Sequence, residues 1–153
     1  AYRRGFLKRR TQGGAAVEPL FDGIREAIEA FARPERFLAI ATGKNRRGLL
    51  HGLALHGLSH HFAFLKTADD GPSKPHPAIL QQAIAEAGVE PEETLVIGDT
   101  AFDIQMARNA GAHALGVAWG YHPAEELIAA GARGIAAAPA DLVGLVEELA
   151  CAS

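Results

Sequence analysis

The chain has 153 residues, of which 48% are hydrophobic and 22% are charged, a composition typical of one globular domain with a small appendage. Its net charge of −3 argues against nucleic-acid binding, and its single cysteine, Cys151, excludes an internal disulfide framework. No apolar run approaches the roughly 18 residues of a membrane span. We therefore predict a cytoplasmic protein that uses neither a membrane nor a nucleic acid as a partner.

The first ten residues, "AYRRGFLKRR", form the most basic stretch of the chain. Tyr2, Phe6 and Leu7 fall on one side of a helix, so we predict a helix with a solvated basic face; a patch that faces an anion is the alternative. The helical spacing is under way at Ala1, with no N-cap residue before it. We expect from this that the sequence begins within a longer protein.

From residue 19 onward, helix and strand patterns alternate at short intervals. The predicted strands are "RFLAIAT", "FAFLK", "TLVIG", "HALGVAW" and a weak one near Ile135. The predicted helices are "PLFDGIREAIEAF", a segment with Leu49, Leu50 and Leu53, "HPAILQQAIAEAG", "AFDIQMARNAG", "PAEELIAAG" and Ala140 to Leu149. Strands that are apolar throughout are buried on both faces, and helical crossovers give parallel pairing. The sequence thus predicts an α/β fold with a doubly wound parallel sheet, whose ligand site lies beyond the carboxyl ends of the strands.

Two aspartates lie just beyond one of these strand ends. Asp99 follows "TLVIG", and Asp103 comes four residues later, in the first turn of the next helix. Both carboxylates are expected to face one point above the sheet, where they could hold Mg²⁺, a cation that takes oxygen ligands and keeps waters or substrate phosphate. The alternative for Asp103 is an acid that is favoured by the helix dipole alone.

Three further residues are candidates for binding phosphate. Thr42 ends a strand and precedes Gly43, where a hydroxyl and backbone N–H groups can hold phosphate oxygens; an ordinary cap is the alternative. Lys74 lies in a proline-rich loop, "GPSKPHP", that would direct its ammonium group toward a transferring phosphoryl group. A solvated loop lysine is the alternative for that position.

Other charged residues near these positions are less specific. Lys44, Arg46 and Arg47 at a predicted helix start could face an anionic substrate or be solvated, and Asp69 and Asp70 are typical of a turn. The histidines of "HGLSHH" have no acid or cysteine that would complete a metal site, so we expect them at a surface helix end.

Taken together, three segments resemble the motifs of a known family. "LAIATGK", "SKPHP" and "GDTAFDIQMARNAG" are similar to the second, third and fourth motifs of the haloacid dehalogenase-like (HAD) superfamily. "GVAWGYHP" and the general spacing are most similar to its phosphoglycolate phosphatase-like branch. The resemblance extends from about residue 19 to the end of the chain.

The resemblance implies a Rossmann-like core and a Mg²⁺-dependent phosphatase of small phosphorylated metabolites. Such enzymes act through an aspartyl-phosphate intermediate. Thr42 and Gly43 would bind the phosphoryl group, Lys74 would neutralise it and steady the nucleophile, and Asp99 with Asp103 would secure the metal.

The sequence departs from the family in one respect. The family's nucleophile is the first Asp of an Asp-x-Asp pair after the first core strand, and this chain contains no Asp-x-Asp. We therefore predict that residues 1–17 are the C-terminal helix of a helical cap domain, and that 18–153 form the core without its first strand. The sheet would then have a gap between "LAIAT" and "LVIG". On this interpretation the chain is a piece of a longer phosphatase and is inactive alone.

Several alternatives stay open. A catalytically silent HAD-like binding or scaffold protein needs no nucleophile, and a phosphomutase or phosphonatase relative would share the same motifs. A dehalogenase would need no metal and would lack the Asp99–Asp103 pattern. A signalling receiver domain has its acidic pair before its Thr and Lys, whereas here the acids come last.

Overall fold

The computed structural model describes residues 4–7 and 22–152 and contains a six-stranded parallel sheet. Its strands are β1 (Arg4–Leu7), β2 (Phe37–Ala41), β3 (Phe64–Lys66), β4 (Thr94–Gly98), β5 (His113–Val117) and β6 (Ile135–Ala136). They are arranged in the order β3-β2-β1-β4-β5-β6. From β1 the chain adds β2 and β3 on one side of the sheet and then β4, β5 and β6 on the other. The predicted doubly wound α/β fold is therefore confirmed.

Six helices connect and cover the strands: α1 (Ile24–Phe31), α2 (Arg46–His56), α3 (Ala78–Ala87), α4 (Ala101–Asn109), α5 (Ala124–Ala130) and α6 (Leu142–Ala152). Their ends follow the sequence signals. For example, α3 begins after Pro77 and ends at Gly88, whose φ of 68° is accessible to glycine without strain. Among the helices described, none is long and apolar enough to cross a membrane.

The strand β1 corrects our expectation for the N-terminal segment. Arg4–Leu7 pair in parallel with β2 on one side and with β4 on the other, so these four residues form a strand and not a helix. The expected gap between β2 and β4 is therefore filled within the described residues. Each backbone group left unpaired on a buried edge costs roughly 1–3 kcal/mol, which is a strong reason for an apolar segment to enter that place. The rest of 1–17 lies outside the described residues, and its assignment to a cap remains a prediction.

The core lies on both faces of the sheet, because successive strand residues point to opposite sides. On β2, Leu38 and Ile40 pack in a cluster with α1, α2 and α6. Their neighbours Ala39 and Ala41 pack in a second cluster with α3 and α4. On α2, Leu53 is buried, whereas Leu50 is 45% exposed.

Candidate active site

The predicted site residues lie at the carboxyl edge of the sheet, around a cavity of about 210 Å³. The cavity is lined by Thr42, Gly43, Thr67, Ala68, Gly71, Pro72, Ser73, Lys74, Ile79, Thr100 and Phe102. Three of the five predicted site residues, Thr42, Gly43 and Lys74, therefore share one cavity. Asp103 contacts Lys74 of the lining, and Asp99 is the residue before Thr100, which also lines the cavity.

Thr42 forms the wall of the cavity at the end of β2. Its backbone N–H donates to the carbonyl of Lys66 at 3.0 Å, which extends the pairing of β2 with β3. Its Oγ1 accepts the N–H of Lys44 at 3.2 Å, so the hydroxyl is held in the turn that leads to α2. Gly43 is exposed, and a Cβ atom added there would have no heavy atom within 4 Å. The turn thus leaves space for a ligand beside the Thr42 hydroxyl.

Lys74 is the cation of the cavity, and its side chain is only 8% exposed. Its Nζ donates to the carbonyl of Ala41 at 2.9 Å and to Asp103 Oδ1 at 2.8 Å. These partners belong to β2 and α4. Lys74, which lies in the third sequence motif, therefore connects the second motif with the fourth. The alternative of a solvated loop lysine is wrong.

Asp103 is fully buried in the first turn of α4. Its Oδ2 accepts the backbone N–H of Thr100 at 3.2 Å and the Thr100 hydroxyl at 3.0 Å, while the Thr100 Oγ1 accepts the N–H of Asp103. This is a capping box that closes the N-terminus of α4. A carboxylate oxygen has two lone pairs, and both on Oδ2 are engaged. The other carboxylate oxygen, Oδ1, accepts the ammonium group of Lys74.

Asp99 lies at the tip of β4 and is 5% exposed. Its Oδ2 accepts the backbone N–H of Tyr121 at 3.2 Å, and its carbonyl accepts the N–H of His122 at 3.1 Å. These donors come from the loop after β5, so Asp99 is bound by the loop that follows the neighbouring strand of the sheet.

The loop that carries Lys74 is supported on its outer side. Arg46 Nη2 donates to the Leu65 carbonyl at 3.0 Å and to Asp70 Oδ2 at 3.1 Å. Asp70 Oδ2 also accepts the backbone N–H of Thr67 at 2.7 Å and its hydroxyl at 3.0 Å. Burial raises the pKa of Asp70, but the Thr67 hydrogen bonds and the charges of Arg46 and Lys66 outweigh it, and the pKa is lowered overall. Asp70 is thus a turn former as predicted, and Arg46 pairs with it.

The donor set at this edge fits a hard divalent cation. Carboxylate and hydroxyl oxygens are the ligands that Mg²⁺ prefers, and it commonly takes only one or two carboxylates from the protein. Asp99 and Oδ1 of Asp103 are such oxygens. Among the residues that the structure describes, no group of three or more His, Cys, Asp or Glu side chains is placed so that it could hold a metal ion.

Sequence reasoning missed two contributors to the site. Thr100 caps α4, binds Asp103 and lines the cavity. The capping-box spacing of a threonine followed three residues later by an acid was the signal that could have identified it. The second contributor is the pair Gly120 and His122, which give no such signal because their contacts are made across the sheet. Tyr121 between them follows a predicted strand end, and it was expected either to line the site or to pack in the core; its backbone N–H contacts Asp99.

Comparison with known proteins agrees with this geometry. The model of the haloacid dehalogenase-like hydrolase family matches residues 6–117. Phosphoglycolate phosphatase of Vibrio vulnificus is 29% identical over 136 residues, which are 88% of this chain and 60% of that protein. Pyrophosphatase PpaX of Bacillus pumilus is 40% identical over 91 residues, which are 59% of this chain and 42% of that protein.

Solved structures show the same architecture. A hydrolase from Pseudomonas syringae has a TM-score of 0.75 and 29% identity, with 84% of this chain and 60% of that chain covered. The chain thus spans about two fifths to three fifths of the length of these proteins. The family match over most of the chain, together with the shared parallel sheet, shows that the chain belongs to the haloacid dehalogenase-like hydrolase family.

Proposed function

We propose that this chain provides the phosphate-binding and Mg²⁺-binding part of a phosphatase of small phosphorylated metabolites, similar to phosphoglycolate phosphatase. The full-length protein would act through an aspartyl-phosphate intermediate, with the nucleophile in an Asp-x-Asp segment that the present sequence does not contain. The 153-residue chain alone would not turn over substrate. The location that we infer is the cytoplasm.

The observation that carries the proposal is the fixed position of Lys74. A lysine side chain loses considerable rotamer freedom when it is held in one place, and here it is held by a carbonyl and a buried carboxylate at the wall of an open cavity. A cation preorganised in this way stabilises negative charge that develops on a phosphoryl group.

Each residue then has a defined task. The hydroxyl of Thr42 and the backbone of Gly43 bind phosphoryl oxygens, and Lys74 neutralises their charge. Asp103 orients Lys74, and Asp99, with Oδ1 of Asp103, would hold Mg²⁺. When bound, Mg²⁺ supplies Lewis-acid stabilisation and a template for the phosphate.

One observation favours a second candidate, a catalytically silent protein that binds phosphorylated ligands. In the family the nucleophile follows the central strand, but the residues after β1 in this sequence are Lys8, Arg9 and Arg10. Basic residues cannot form an acyl phosphate. A silent protein would retain the site described here and would need no carboxylate at that place.

The test is turnover of p-nitrophenyl phosphate and phosphoglycolate with and without Mg²⁺. The assay compares the 153-residue chain with the full-length product that carries an in-frame Asp-x-Asp. We expect Mg²⁺-dependent activity of the full-length form only, and a loss on the order of 100-fold or more in Asp99→Asn. Asp141→Asn, which removes the charge of an exposed acid that caps a 3-10 turn, is the matched control and should retain activity.

The outcomes separate the two candidates. Phosphate release by the 153-residue chain would contradict our account of the nucleophile. A full-length product that binds phosphate but releases none under any condition would favour the silent protein.

A further inference from the structure

We propose that the loop Gly120–His122 positions the carboxylate of Asp99, and that His122 is the residue that anchors this loop. The inference rests on the proposed function, which makes Asp99 a metal ligand. His122 would be a positioning residue, since its side chain acts on Asp99 through the loop and through α4.

Two successive backbone donors of the loop bind Asp99. The N–H of Tyr121 lies 3.2 Å from Asp99 Oδ2, and the N–H of His122 lies 3.1 Å from the Asp99 carbonyl. One bond holds the side chain and the other holds the main chain of the same residue. The direction of the carboxylate is therefore determined by where this loop lies.

The loop approaches so closely because residue 120 is a glycine. A Cβ atom added to Gly120 would lie 2.1 Å from the Cβ of Asp99 and 2.6 Å from its Oδ2. Such distances do not occur between real side chains, so any other residue would push the loop and the carboxylate apart.

The side chain of His122 fastens the loop to the start of α4. Its Nδ1 accepts the backbone N–H of Ala101, the first residue of the helix, at 2.8 Å. That N–H is one of the donors that a helix leaves without an internal partner. The Phe102 ring packs edge-on against the imidazole, with centroids 5.7 Å apart. The Glu126 carboxylate lies 3.5 Å from the same Nδ1, which adds no hydrogen bond while that nitrogen is an acceptor.

These contacts form a closed ring around the metal-binding turn. The chain runs from Asp99 through Thr100 to Ala101, and His122 binds both ends of that stretch, the carbonyl of Asp99 and the N–H of Ala101. The turn is thereby held at both ends before any cation arrives. A carboxylate fixed in advance loses less freedom on binding, so removal of the anchor should weaken cation binding.

The experiment uses amide NMR of the 153-residue chain, with Mn²⁺ as a paramagnetic probe and hydrogen exchange as a readout that needs no metal. In His122→Ala we expect the Tyr121 amide to exchange about 10-fold faster and the Mn²⁺ dissociation constant to rise by about 10-fold. His122→Asn should restore much of both, because its side-chain oxygen can accept the Ala101 N–H. His76→Ala is the matched control, since His76 Nδ1 accepts the N–H of Ala78 at the start of α3.

Different results overturn different parts of the proposal. Tyr121 exchange and Mn²⁺ affinity that are unchanged in His122→Ala would refute the positioning role. An equal rise in exchange along β4 and β5 would also refute it, because the loss would then be general destabilisation. Asp99→Asn should abolish the broadening of nearby amides by Mn²⁺. Unchanged broadening in that variant would refute the metal assignment, while Tyr121 exchange would still decide whether His122 orders the loop.

Discussion

Substitution of Lys74 by methionine should destabilise the fold as well as the site. Methionine keeps the length of the side chain and removes its charge. The Asp103 carboxylate, which is fully buried, would then lose its cationic partner, while the hydrogen bonds of the α4 cap would stay.

The magnitude follows from the geometry of the pair. At the observed separation of 2.8 Å, two unit charges in a medium of effective dielectric constant about 20 attract by about 6 kcal/mol. Desolvation of both groups offsets part of this attraction, and removal of one partner of a buried pair typically costs about 3–5 kcal/mol. We expect a loss of that size in the free energy of unfolding.

The measurement is urea unfolding at pH 7, followed by circular dichroism and by the fluorescence of Trp119, the single tryptophan. Lys66→Met is the matched control, because Lys66 pairs with Glu86, whose side chain is half exposed. Its loss should be about 1 kcal/mol or less. The double variant Lys74→Met/Asp103→Asn should be more stable than Lys74→Met, since its buried carboxylate is replaced by a neutral amide.

A loss below about 1 kcal/mol in Lys74→Met would refute the reasoning, because a buried carboxylate cannot lose its cation at so small a cost. A double variant that is less stable than Lys74→Met would refute it as well. In that case the α4 cap, and not the ion pair, would be the main contribution of Asp103.

Two further predictions concern the supporting loop and the core. Burial raises the pKa of Asp70, but its hydrogen bonds and the nearby cations lower the pKa overall. The stabilisation that Asp70 gives to the folded state is therefore complete above the pKa of about 3.9 that the residue has in the unfolded chain. It is lost as the pH falls through the lower pKa of Asp70 in the folded state. Asp70→Asn should therefore cost about 1–2 kcal/mol at pH 7, and unfolding curves of the two proteins should converge below pH 4; a constant difference would contradict this. Leu53→Ala should cost about 2–5 kcal/mol and the exposed Leu50→Ala less than about 1 kcal/mol, and equal melting temperatures would be inconsistent with their burial.

Much of the fold could be predicted because its signals are local. The strand "TLVIG" and the helix that ends at Gly88 have the apolar runs and terminal residues that their structures require. The strand β1 could not be predicted in the same way. A short apolar run such as that around Phe6 is compatible with helix or strand, and the choice depends on β2 and β4, which are distant in sequence.

The sequence predicted which residues lie together at the site better than it predicted the contacts between them. Thr42 and Lys74 were identified because strand ends in a parallel sheet collect at one edge, and the structure brings them to one cavity. The contact of Lys74 with Asp103 was not predicted, because it joins residues 29 positions apart through side-chain geometry. The backbone contacts of Tyr121 and His122 with Asp99 were not predicted for the same reason.

The support of the loop that carries Lys74 has a consequence for how this site can change. Arg46 and Asp70 brace that loop from outside the cavity, whereas Ala68, Pro72 and Ser73 line the cavity. Apart from Thr67, which lines the cavity and also binds Asp70, anchoring and lining are therefore assigned to different side chains. Replacements among the lining residues would reshape the cavity while the ammonium stays in place, so a single scaffold of this kind could be adapted to new ligands by a few exchanges in one short segment.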